Sequence, residues 1–83
     1  MEENRKLIWI YRSTRRQNLD NDYYFYEDET ILHHYDQTMT KWDIEENVLS
    51  SDISVEEKER ILMKCKAECS TEIVERIRAI LRM

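Results

Sequence analysis

The chain contains no glycine and no proline in 83 residues. Glycine enters the left-handed backbone region without steric cost, and proline pre-sets the first corner of a turn. A fold built without either must make its tight reversals from other residues, and Asp and Asn tolerate that region best. The same absence removes every nucleotide-binding motif that cradles phosphate in a glycine-rich loop.

Short strands are nevertheless legible. "KLIWIY", Lys6 to Tyr11, is β-branched and aromatic between charged flanks and reads as a strand. Both of its faces, Leu7/Trp9/Tyr11 and Ile8/Ile10, are apolar, so it is either covered on both sides or leaves aromatics exposed. "RSTRRQNLDN" is polar and aperiodic and reads as a long connection. "DYYFYE" and "TILHHYD" form the next two strands, joined through Glu27-Asp28-Glu29. A tight turn there usually takes Asn-Gly or Asp-Gly, and Asp28 is the residue expected to stand in for glycine.

From Thr40 onward the period reads as helical. "TKWD" offers a Thr N-cap with Asp43 at the third position, and Ile44 and Val48 fall on one face, predicting a short helix over about residues 41–49. "SVEE", Ser54 to Glu57, is a capping box. Beyond it Ile61, Leu62, Cys65, Cys69, Ile73, Ile77 and Ile80 form an apolar stripe, the expected bulk of the core. An unbroken helix over about residues 55–82 would run roughly 42 Å, against an expected radius of gyration near 12 Å. It must protrude, as into a homodimer, or bend, and Ser70-Thr71 is the expected bend because both residues cap helices well. The expected architecture is α+β: one domain over residues 1–83, with a three-stranded antiparallel meander (about residues 6–12, 22–27 and 30–36) followed by two or three helices packed on the sheet.

Reactive chemistry finds little footing. His33, His34, Cys65 and Cys69 are zinc-competent, but adjacent strand residues point to opposite faces, so the two histidines cannot chelate one ion together. A core-facing histidine is expected to be hydrogen-bonded. The cysteines lie in the apolar stripe, where cysteine behaves as a small hydrophobe and is a poor thiolate nucleophile. We expect no catalytic residues, no cofactor and no metal site. Two cysteines four apart on one helix suit a reducing cytoplasm better than a disulfide scaffold. The apolar run near the start is too short for a signal-peptide core, and no run is long enough to span a membrane.

Charge is the informative feature. The formal charge of −5 hides net +3 over residues 1–19, −11 over 20–57 and +3 over 58–83. The acidic middle contains "DNDYYFYEDE", in which Tyr24 and Tyr26 share one face and Tyr23 and Phe25 the other. One pair should be core and the other should stand near the acids. Tyrosine supplies rigid contact area with a polar tip, which suits protein interfaces. The plainer reading is an acidic solvated surface whose tyrosines merely cover the sheet. The candidate contact residues are Asp20, Asp22, Tyr24, Tyr26, Glu27, Asp28, Glu29, Asp36, Asp43, Glu45 and Glu46.

The 83-residue length, "DNDYYFYEDE" and the run "KWDIEEN" make the chain similar in general character to small phage-encoded inhibitors of bacterial defence, anti-CRISPR proteins in particular. The likeness transfers no residue role. It implies a non-enzymatic inhibitor in the cytoplasm of a bacterial host, a DNA mimic whose acidic surface occupies a nucleic-acid-binding site on an effector nuclease. The implied partner is a Cas9-type or other CRISPR effector, which holds duplex in a positive channel. No direct nucleic-acid binding and no membrane partner are expected. The alternatives are a small dimeric nucleic-acid-binding regulator using Arg12, Arg15 and Arg16, and an immunity- or antitoxin-type accessory protein.

Overall fold

The computed structural model of the chain describes residues 5–14, 19–36, 38, 40–41 and 43–83. It is α+β, with a four-stranded antiparallel sheet in the order β1 (Leu7–Tyr11), β2 (Asn21–Tyr26), β3 (Ile31–Tyr35) and β4 (Ile44–Val48). A 3-10 turn, Ser50–Asp52, leads into α1 (Val55–Glu68) and α2 (Thr71–Leu81). The sheet therefore has one strand more than the sequence suggests.

The extra strand replaces the helix expected over residues 41–49. Asp43 has φ 58°, which no right-handed helix accommodates, and its amide is held by Asp36 Oδ1 at 3.0 Å. Ile44 and Val48 do share a face, but as alternate strand positions with Glu46 between them, paired to Tyr35, Ile31 and His33. A spacing of four satisfies both periods, and the free edge of β3 decides between them.

The β2–β3 turn also differs in detail. The amide of Glu29 bonds the Tyr26 carbonyl at 2.9 Å and that of Tyr26 bonds the Thr30 carbonyl at 3.1 Å. This is a three-residue loop whose last residue enters the left-handed region. That residue is Glu29 (φ 71°), not Asp28. Asp28 instead accepts from the amide and hydroxyl of Thr30, an Asx-type brace that holds its carboxyl below the usual range.

The helical region divides where a bend is expected, but as a full break. Cys69 is extended (φ −121°, ψ 164°), and Ser70 (φ −70°, ψ 162°) caps α2 by accepting from the Ile73 amide at 3.4 Å. Ser54 caps α1 by accepting from the Glu57 amide at 3.1 Å, but the reciprocal half of the expected capping box does not form, because the Glu57 carboxylate turns to Arg60 Nη2 at 2.7 Å. The described chain has a radius of gyration of 12.8 Å and no helix protrudes from it.

One face of the sheet carries the core. Tyr11, Tyr23, Phe25 and Ile31 pack against Ile61, Leu62, Cys65, Val74, Ile77, Ile80 and Leu81 from the helices. Of the expected stripe, Cys69 and Ile73 are half-buried and the other members buried. β1 carries a bulge between Leu7 and Trp9. Leu7 therefore pairs with Tyr26 on the opposite face, while Ile8 and Trp9 both pack toward the core. The sequence grouping of Leu7 with Trp9 and Tyr11 fails at that bulge.

Candidate functional site

The helices leave the other face of the sheet uncovered. Alternation places Ile10, Tyr24, Leu32 and Asn47 there in one cross-strand row and Asp22, His34 and Glu45 in the next. Tyr24, Tyr26, Ile10 and Leu32 are half-buried, because they cover one another and neither helix covers them. The sequence expectation of one core pair and one outer pair is met: Tyr23 and Phe25 are core, Tyr24 and Tyr26 outer.

Arg5, just before β1, reaches across this face. Its guanidinium carbon lies 4.2 Å from the centre of the Tyr26 ring, and Nη1 donates to Thr30 Oγ1 at 2.9 Å and Asn47 Oδ1 at 3.4 Å. Beside it is a recess of about 470 Å³ lined by Arg5, Tyr24, Tyr26, Leu32, Glu45 and Asn47. The Glu45 carboxylate, at the recess wall, makes no hydrogen bond or ion pair with any described residue. A larger recess of about 580 Å³ lies between the β2–β3 turn and the end of α2, but of the sequence-selected residues it includes Glu29 alone.

At the other end of the same face Asp22 is buried, at 6% exposure. Its Oδ1 accepts from the Ser13 amide at 3.3 Å, and Oδ2 lies 3.9 Å from both Arg12 Nη1 and His34 Nδ1. The His34 Nε2 is 3.2 Å from Asp43 Oδ1, while its Nδ1 makes no hydrogen bond. This imidazole is held between two carboxylates with no described nucleophile against it.

The acids singled out from sequence thus divide among four places. Asp22 and Glu45 lie on the uncovered face, and Glu27, Asp28 and Glu29 form the β2–β3 turn, with Glu27 3.7 Å from Arg76. Asp20, Asp36 and Asp43 sit at the opposite end of the hairpin, where Asp36 accepts from the amides of Asp20 at 3.2 Å and Asp43 at 3.0 Å. Glu46 is on the helix side and accepts from the Tyr35 hydroxyl at 3.0 Å. Asp22 and Asp36 are committed to holding the fold together. Tyr24, Tyr26 and Glu45 are the sequence-selected side chains that share the recess.

The two histidines do diverge. His33 points to the core side, stacked between Tyr23 (4.4 Å) and Tyr35 (4.5 Å), with Nε2 2.6 Å from Asn21 Oδ1. Among the described residues no three His, Cys, Asp or Glu side chains gather as a metal site. Cys65 and Cys69 are free thiols in mutual contact, and burial first, then that contact, pushes the Cys65 thiol up to about 12. Of the alternative arginine patch, Arg12 lies beside Asp22, while Arg15 and Arg16 fall outside the described residues.

Sequence reasoning missed Arg5, Leu32, His34 and Asn47 as members of this face. The strand register would have found Leu32 and His34 once paired with Tyr24 and Asp22. Asn47 required recognising β4, and nothing in the sequence marks Arg5. Among the described residues no helix is long and apolar enough to cross a membrane. Comparison with protein-family models, curated proteins and solved structures finds no match to the chain.

Proposed function

We propose that the chain is a non-catalytic protein-binding inhibitor whose uncovered sheet face docks on a basic, nucleic-acid-binding surface of a larger protein. A CRISPR effector nuclease in a bacterial cytoplasm is the specific target implied by its likeness to anti-CRISPR proteins. The observation that carries the reading is a sheet face that the helices leave uncovered, on which Tyr24 and Tyr26 stand beside a Glu45 carboxylate with no partner among the described residues. Aromatic rings with a polar tip supply burial at an interface, and a carboxylate without a partner among the described residues can meet an arginine or lysine without giving up a contact to them. The acidic turn Glu27–Glu29 lies at the end of the same hairpin and adds to on-rate through its field.

The test is DNA binding by Cas9-type effectors in the presence of the chain. Tyr24→Ala and Tyr26→Ala should speed dissociation of the inhibitor, and Glu27→Lys with Asp28→Lys should slow association. Undiminished inhibition by a Tyr24→Ala, Tyr26→Ala, Glu45→Lys triple variant, against an effector that the parent chain inhibits, would remove this face from the mechanism. Failure of the parent against a panel of effectors would refute the CRISPR target.

A further inference from the structure

The sheet has two edges, and they are unlike. β1 is bulged, α1 packs along it, and Lys64 of α1 donates to the Arg12 carbonyl at 2.9 Å just past its end. β4 is the other edge, and no described residue outside β3 hydrogen-bonds to the backbone of Ile44–Val48. Such an edge is a template for a further strand, and natural proteins guard it with charge. Here the guard is Glu45 on the uncovered face and Glu46 on the helix side.

That guard selects as well as excludes. If β4 paired antiparallel with a second copy of itself about Glu46, Glu46 would oppose Glu46, with a Glu45 on either side. Like charges directly opposite one another destabilise a ladder. An incoming strand with basic residues reverses the sign of the same term. Its alternate side chains would lie over the uncovered face, where the recess is lined by the Tyr24 ring and by the Glu45 carboxylate, which has no partner among the described residues. The face already holds one guanidinium in this manner: Arg5 stacks on Tyr26 and donates to Thr30 and Asn47.

Resting on the protein-binding reading above, we infer that the free edge of β4 accepts an extended basic segment of the partner by strand addition, with one arginine entering the recess between Glu45 and Tyr24. Arginine suits the site better than lysine because its planar fork can pair with a carboxylate and stack on a ring at once.

The experiment is an NMR titration of the isotope-labelled full chain with a short synthetic peptide alternating arginine with valine. A peptide carrying glutamine for arginine serves as its control. Amide shifts and slowed hydrogen exchange should map to Ile44–Val48, with further shifts at Tyr24 and Leu32. Glu45→Gln should weaken binding about tenfold, the scale of one charge-assisted hydrogen bond, and the glutamine peptide should lose at least as much. Glu75→Gln, on the exposed side of α2 away from this face, should leave the affinity unchanged. Shifts confined to the Glu27–Glu29 turn would overturn strand addition while leaving a protein-binding acidic surface standing. Equal affinity for Glu45→Gln would overturn the arginine recess. A free chain that dimerises through β4 would make a second copy the occupant and overturn the inference. No binding of the arginine peptide anywhere would overturn both this inference and the charge argument beneath the proposed function.

Discussion

Glu29 bears the cost of making a hairpin without glycine. At φ 71° its Cβ crowds the following carbonyl, and the left-handed region costs a non-glycine residue roughly 1–2 kcal/mol. Glu29→Gly removes that penalty but gives the unfolded chain more freedom, which returns about 0.5–1 kcal/mol. The net expectation is a stabilisation of about 0.5–1 kcal/mol. For a domain of this size that raises the thermal midpoint by about 2–8 °C. The substitution also deletes a charge beside Glu27 and Asp28, so Glu29→Ala is the control. It loses the same charge, keeps the strained φ, and should stay within about 0.5 kcal/mol of the parent. Thermal melts and urea titrations of the three proteins, read in parallel, separate backbone from charge. If Glu29→Gly is no more stable than Glu29→Ala, backbone strain at this turn is refuted.

Other expectations follow from the core and the caps. Leu62, at 7% exposure, should cost about 2–5 kcal/mol on replacement by alanine, and a loss below about 0.5 kcal/mol would place that face of α1 wrongly. Ser70→Ala removes the cap that begins α2 and should cost about 1 kcal/mol by urea denaturation. Burial raises the Cys65 thiol to about 12, and burial followed by the Glu57 carboxylate raises the Tyr11 phenol. Both groups hold their protons more tightly folded than unfolded, so the Cys65 contribution is intact below about pH 8.5 and is lost as pH climbs toward 12, and that of Tyr11 falls only above about pH 10. Melts between pH 8 and 11 should therefore show falling stability, less steeply in a Cys65→Val variant.

What the sequence disclosed depended on whether local pattern and tertiary contact pointed the same way. Ser54, Ser70 and the stripe from Ile61 to Ile80 were readable because capping and helical spacing agree with burial against the sheet. Tyr23 and Phe25 were separable from Tyr24 and Tyr26 by alternation alone, though which pair was core required knowing where the helices pack. β4 was misread because Ile44 and Val48 fit two periods and Thr40 mimics a cap, whereas the strand is held by its pairing with β3. The recess was half legible. Tyr24, Tyr26 and Glu45 were selected for their chemistry, but Arg5 reaches them from a different stretch of chain, an arrangement no local pattern encodes.

The strand order carries a kinetic consequence. Each strand of the sheet pairs with its neighbour in sequence, and the two helices pack on each other immediately afterwards. Loop closure therefore proceeds in short steps, and the long-range contacts left to form are those seating the helix pair on the sheet. With no X-Pro bond in the chain, an isomerisation step lasting tens of seconds has no chemical source. Refolding from urea should therefore complete without a prolyl-isomerase-sensitive phase, and any slow phase whose rate varies with protein concentration would report association between chains.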